Sequence, residues 1–184
     1  MSIFHPEALF FEEARQLSIS ARFGLAMCFL NEFCHRFSIS GEALNQYREH
    51  TRKCPLLDGK GDFSLWLSKE PHIVSDGISE SQNFGLNGIS SLTPTDFANL
   101  AKIFDLTYSV LKINFWGAGE KEGTLELLAM VAELARPSIL PATTPFKFSS
   151  IRDDDGWGDA LIASDLLFWR TYRENWFRLE GAGS

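Results

Sequence analysis

The sequence predicts an all-α protein of six or seven helices packed in a compact layered bundle. Apolar residues recur at three- and four-residue steps over most of the chain, which is the period of a helix with one buried face. Strand signals are few and are confined to the region around residues 72–80. With 184 residues, of which 45% are hydrophobic and 22% charged, the chain has the composition of a single globular domain, residues 1–184, that can bury its own core.

The first two helices are predicted at about 6–17 and 21–37. Pro6 suits a first helical turn, and either Ser18 or Ser20 can cap the second helix. The second helix is apolar on two neighbouring faces, so we expect it to be buried. It keeps only a narrow polar stripe, formed by Arg22, Glu32 and Arg36.

A third, more polar helix is predicted at about 41–53, before Pro55, and a short fourth helix at about 62–68 carries Trp66. Gly, Ser and Asn then interrupt the pattern. Asp76-Gly77 lies between short apolar stretches, which is consistent with a small hairpin near residues 72–80 and equally with an ordered loop.

A long helix is predicted at about 93–115, with Thr93 or Thr95 as its cap and Pro94 in its first turn. We expect it to be the central helix because large apolar side chains form one continuous stripe along it: Phe97, Leu100, Phe104, Tyr108, Leu111 and Phe115. Another helix is predicted at about 124–136, ending at Pro137, and a last one begins at Asp159.

The net charge is −7, and the excess of acid lies in the second half of the chain. Residues 120–184 hold eleven acidic and seven basic residues, whereas residues 1–60 hold seven of each. The only local basic group, Arg48, Arg52 and Lys53, has the spacing of a solvated helix face. Nucleic-acid binding calls for clustered positive charge, so the sequence argues against it and favours a basic protein partner or simple solubility.

Three cysteines without a CxxC pair are typical of a reducing cytoplasm. The N-terminus lacks the features of a signal peptide, and no apolar run is long enough to cross a membrane. The sequence therefore predicts a cytoplasmic protein with no membrane partner.

One acidic segment is the best candidate for a binding surface. Its four carboxylates repel one another and its tryptophan favours being covered, so the segment fits a basic partner with Trp157 as an apolar anchor. The candidate partner-binding residues are Asp153, Asp154, Asp155, Trp157 and Asp159. In the alternative interpretation the segment is a solvated loop in which Asp159 caps the last helix.

Catalytic and metal-binding patterns are weak by comparison. Aligning Gly156 with the invariant glycine of a calcium loop places Ile151 and Ile162 at two ligand positions, where oxygen ligands are needed. Cys34 and His35 are adjacent, and a helix directs their side chains about 100° apart, so we expect Cys34 to be a buried structural residue. The sequence thus predicts no catalytic residue, no metal and no cofactor.

The stretch from Ala21 to Cys34, ARFGLAMCFLNEFC, followed by a polar helix and a late acidic segment with a tryptophan, resembles small bacterial immunity proteins of contact-dependent growth inhibition and polymorphic toxin systems. The resemblance implies a cytoplasmic, non-catalytic protein that binds a cognate toxin domain, often a nuclease, and blocks its active site. It transfers no functional residue to this chain. Two alternatives remain open: a helical enzyme or small-ligand-binding domain that uses Cys34, His35 or scattered carboxylates, and a scaffold subunit whose surplus aromatic side chains are buried in a homodimer.

Overall fold

The computed structural model describes residues 6–57, 60–79, 82, 84–112, 121–147, 149, 162 and 164. These residues form an all-α fold, as the sequence predicts, with isolated bridges but no strand among them. The seven α-helices of this part of the chain are α1 (Pro6–Arg15), α2 (Ile19–Arg36), α3 (Glu42–Thr51), α4 (Lys60–Leu67), α5 (His72–Ser75), α6 (Pro94–Lys112) and α7 (Lys121–Ala135). None of them has the length and the apolar character required to span a bilayer.

Helix α2 lies at the centre of the fold. Fifteen of its eighteen residues are buried, and it packs against both α6 and α7. Ser18 caps it by accepting a hydrogen bond from the backbone N–H of Ala21 at 3.1 Å. The helix predicted as central, near residues 93–115, corresponds to α6, which packs against α7, α2 and α5. Its predicted stripe is buried at Leu100, Phe104, Tyr108 and Leu111, half-buried at Phe97, and lies outside the described residues at Phe115. Helix α6 also exposes charged residues such as Lys102 and Asp105, so α2 is the more deeply buried of the two helices.

The polar stripe of α2 contacts the ends of two other helices. Arg22, near the start of α2, donates to the Thr124 hydroxyl at the start of α7. Arg36, the last residue of α2, donates to the carbonyl of Ala135 at the end of α7. The helices α2 and α7 therefore run parallel, and both arginines satisfy polar groups of helix termini.

Arg22 also joins α1 to this assembly. Its guanidinium donates to the carbonyls of Ala14 and Arg15, the last residues of α1, at 3.1 and 2.9 Å. Arg22 is only 1% exposed, and burial lowers the pKa of its guanidinium to about 10, so it remains charged at neutral pH. One buried cation thus closes the C-terminus of α1 against the N-terminal turn of α7.

Helix α2 ends in a Schellman motif. The N–H of Ile39 donates to the Cys34 carbonyl at 2.7 Å, and the N–H of Ser38 donates to the His35 carbonyl at 3.0 Å. Ser38 has φ 54°, a left-handed conformation that usually requires glycine. The chain at Gly88 packs closely against this helix end, since a Cβ added to Gly88 would lie 2.6 Å from the Ser38 carbonyl oxygen.

The described residues of this region, 72–79, form no hairpin at Asp76-Gly77, so that alternative was wrong. His72–Ser75 is a single helical turn that ends at Asp76, and Gly77 follows with φ 70°. The Asp76-Gly77 signal therefore marks a helix end, because glycine terminates a helix as readily as it closes a hairpin. The only pairing nearby among the described residues is an isolated bridge between Ser79 and Gln82.

The segment after α7 folds back onto the junction of α1 and α2. Ser149 bonds Ser18 twice, with hydroxyl oxygens 2.6 Å apart and the Ser18 N–H donating to the Ser149 carbonyl at 3.0 Å. The fully buried ring of Phe146 lies against Gly24 of α2. This return segment fixes the loop that leaves α7, which forms one wall of the groove described below.

Candidate functional site

The predicted partner surface lies outside the residues that the structure describes. This applies to all five of its residues: Asp153, Asp154, Asp155, Trp157 and Asp159. Their role in partner binding stays a prediction.

Cys34 and His35 do not form a catalytic pair. Cys34 is buried in the core, and burial raises the pKa of its thiol to about 12. His35 is exposed. The structure confirms that Cys34 is a buried structural residue, and a thiol with so high a pKa is a poor nucleophile at neutral pH.

A cluster of aromatic and polar side chains joins α3, α4 and α6. The ring of His50 stacks on Trp66 with centroids 4.4 Å apart, and Trp66 stacks on Tyr108 at 5.4 Å. His50 Nε2 lies 3.2 Å from the Tyr108 hydroxyl. Glu70 forms a salt bridge with Lys112 at 2.9 Å beside this pair.

The protonation chemistry of this cluster suits structure better than catalysis. Burial lowers the pKa of His50 to about 4, so the imidazole is neutral at physiological pH and is a weak base. Burial and then the charge of Glu70 raise the pKa of Tyr108, which keeps its hydroxyl protonated. A general base is most effective with a pKa near the working pH. The cluster therefore acts as a hydrogen-bonded aromatic stack that ties three helices together.

The basic group at the end of α3, Arg48, Arg52 and Lys53, was interpreted as a solvated helix face, and for Arg48 that interpretation was wrong. Arg48 donates two hydrogen bonds, of 3.0 and 2.7 Å, to the Asn31 side-chain oxygen on α2. Burial lowers the pKa of its guanidinium. Arg52 forms a salt bridge with Glu49 on the same helix. Two of the three cations therefore have partners within the fold.

A groove of about 830 Å³ lies between α1, α7 and the loop that follows α7; we call it the α1/α7 groove. Its volume falls within the range of roughly 300–1,000 Å³ typical of ligand pockets. Most of its lining is apolar, and the residues are Glu7, Phe11, Ala129, Ala132, Glu133, Arg136, Pro137, Ser138, Ile139 and Leu140. Ile139 is 52% exposed, so the groove presents apolar surface to solvent.

The orientation of α1 and α7 explains which residues meet in the groove. Arg15, at the end of α1, forms a salt bridge with Glu122, at the start of α7, at 2.7 Å. The two helices are therefore antiparallel. The first turns of α1, with Glu7 and Phe11, lie beside the last turns of α7, and the small side chain of Ala132 leaves room between them.

Carboxylates border the groove. Glu126, Met130 and Glu133 recur at helical spacing on the exposed side of α7, and Met130 is 48% exposed. Across the groove, Glu7 is exposed on α1. Within the described part of the chain, Glu7, Glu126 and Glu133 form no salt bridge. The groove is therefore mostly apolar, and its lining carries two carboxylates, Glu7 and Glu133, and one cation, Arg136.

Hydrogen bonds from α2 hold the loop wall of the groove in place. Glu32 accepts bonds from the N–H and the hydroxyl of Ser138, at 2.8 and 3.1 Å. Arg36 donates to the carbonyl of Arg136 at 2.8 Å. Arg136 has φ 46°, which turns the chain out of α7 toward Ile139. The groove is preorganised, which reduces the entropy cost of binding.

The sequence interpretation missed this groove. Its residues on α1 lie more than a hundred positions before those on α7 and the loop that follows α7, so no local sequence pattern joins them. Met130, exposed between Glu126 and Glu133 on α7, lies outside the lining of the groove and gave no signal for it.

The described residues contain no group of three or more His, Cys, Asp and Glu side chains that could hold a metal ion. Comparisons with protein-family models, with curated proteins and with solved structures found no match to this chain.

Proposed function

We propose that this chain is a non-catalytic, cytoplasmic immunity-like protein that binds a cognate toxin domain, most simply a nuclease, and blocks its basic active-site surface. The observation that carries the proposal is the exposed face of α1 and α7, where carboxylates that form no salt bridge with any described residue lie beside exposed apolar side chains. Such a face matches protein-protein interfaces, which combine an apolar centre with a polar rim. The resemblance of residues 21–34 to immunity proteins points to the same class.

The charge argument selects the kind of partner. A nuclease must present positive charge to a polyanionic substrate, so its active-site surface attracts an acidic protein. Complementary charge raises the association rate and suppresses wrong partners. With a net charge of −7, the chain would approach such a surface under long-range attraction and would then hold it through buried apolar contacts.

The decisive test begins with the genes beside that of this chain and asks whether one of them encodes a toxic C-terminal domain. Co-expression should protect cells from that domain, and the purified chain should inhibit its activity at equimolar ratio. Titration calorimetry should give a one-to-one complex. Protection against unrelated toxin domains provides the specificity control. A chain that neither binds the neighbouring domain nor protects against it does not have the proposed function.

The acidic segment is tested in the same assay. Changing Asp153, Asp154 and Asp155 to Asn should slow association with the toxin, with a weaker dependence on salt, because three charges that steer encounter are removed. Stopped-flow fluorescence at several ionic strengths measures both effects. Unchanged rates at every salt concentration would exclude this segment from the interface.

A further inference from the structure

We infer that the α1/α7 groove receives a basic amphipathic helix of the partner, whose apolar side chains enter the groove while its Lys or Arg residues meet Glu7 and Glu133. The inference rests on the proposed function, because it identifies the element of the toxin that the chain would hold. It also assigns a binding role to residues outside the acidic segment at 153–159.

The shape of the groove favours a helix as the occupant. Two antiparallel helices form its sides, and the braced loop carrying Ile139 and Leu140 forms its end. A mostly apolar depression between two antiparallel helices suits an amphipathic helix that inserts one stripe of side chains. The volume of about 830 Å³ accommodates several such side chains in succession.

The charges in the groove determine which residues should flank the apolar stripe of the incoming helix. Glu7 lies on the α1 side and Glu133 on the α7 side, and neither forms a salt bridge within the described part of the chain. Basic residues on both edges of the incoming helix would meet them. Arg136 stands at the end of α7, one turn beyond Glu133, and would repel a basic residue there, so the groove distinguishes the two directions of the bound helix.

The first test uses synthetic peptides with the folded chain and follows its backbone amides by NMR. The probes are a helical peptide of Leu and Lys, the same peptide with Glu in place of Lys, and one with Ser in place of Leu. The Leu/Lys peptide should shift the amides of Ala132, Ile139 and their neighbours, and the other two should shift them far less. Equal shifts with the Leu/Glu peptide, or shifts confined to other surfaces, would overturn the inference.

Two variants locate the site. Ala129→Trp fills the groove and should abolish binding of the Leu/Lys peptide. Glu133→Gln should weaken binding about two- to five-fold, as expected for one exposed ion pair, while Asp105→Asn removes the same charge from α6 and should not. Thermal denaturation verifies that each variant is folded. If the folded Glu133→Gln and Asp105→Asn proteins bind the peptide equally well, the groove carboxylates do not select its charge.

The same variants separate this inference from the proposed function. If Ala129→Trp and Glu133→Gln bind and inhibit the toxin as the native chain does, the groove is not its docking site although the immunity function stands. If the groove binds the Leu/Lys peptide but no neighbouring toxin domain is neutralised, the groove stands and the immunity function fails.

Discussion

The contact between Gly24 and Phe146 provides the sharpest test of the packing. A Cβ at residue 24 would lie 2.6 Å from Cε1 and 3.1 Å from Cδ1 of the Phe146 ring, whereas carbon atoms in contact sit about 3.5–4.0 Å apart. The ring would have to move by about 1 Å. It is fully buried, and its backbone is held in a short turn at Thr144–Phe146, so little room exists for that movement.

The expected effect of Gly24→Ala is the sum of two opposing terms. Overpacking a core costs about 1–3 kcal/mol, while alanine in a helix interior stabilises by about 1 kcal/mol relative to glycine. The net loss in free energy of unfolding is therefore about 0–2 kcal/mol. In a Phe146→Leu background the clash is relieved, so the same substitution should stabilise the protein by up to about 1 kcal/mol.

Urea denaturation of the four proteins, followed by circular dichroism, measures the coupling between the two sites. The sign of the Gly24→Ala effect should change between the two backgrounds. If Gly24→Ala stabilises the native protein and the Phe146→Leu variant by the same amount, the ring does not occupy the space beside Gly24 and the packing argument fails.

Three further predictions concern single residues. Ser38→Gly should stabilise the fold by about 0.5–1 kcal/mol because glycine adopts φ 54° without strain, and denaturant midpoints that fall would contradict the assignment of a Schellman motif. The pKa of His50 in the folded chain is about 4, below its usual value. Between about pH 6.5 and 4 the unfolded chain therefore binds one proton more than the folded chain. The stabilising contribution of neutral His50 is present above about pH 6.5 and is lost as the pH falls toward 4. His50→Gln, which carries a polar side chain that does not titrate, should flatten this part of the stability profile, and an unchanged slope would show that His50 is not buried as described. Arg22→Met should destabilise the fold by about 2–5 kcal/mol because buried acceptors lose their donor, whereas Arg15→Met breaks only an exposed pair and should cost at most about 1 kcal/mol; similar losses in the two variants would contradict the buried role of Arg22.

The sequence predicted the elements that depend on local chemistry. Of the two caps that the sequence offered for the second helix, the structure has Ser18. The middle of the apolar stripe of α6 and the short helix carrying Trp66 follow from periodicity, and the structure confirms them. The helix at His72–Ser75 was missed because one turn is too short to show a period.

The features that depend on distant partners could not be predicted. Arg22 and Arg36 had the pattern of an ordinary polar stripe, because their partners on α7, Thr124 and Ala135, lie about a hundred positions further along the chain. The groove is the same case, since antiparallel pairing of α1 with α7 creates it. For the candidate site the sequence predicted an acidic partner surface at 153–159, which lies outside the described residues, and it did not predict the groove between α1 and α7.

The long reach of the hydrogen bonds made from α2 also bears on the order of events during translation. Arg22 bonds a residue 102 positions later, and Ser18 bonds one 131 positions later. When α2 leaves the ribosome, the helix that satisfies its polar groups and covers its apolar faces has not yet been synthesised. Helix α2 therefore remains exposed, or is covered by a chaperone, until α7 emerges. The native core then forms only late in synthesis or after release.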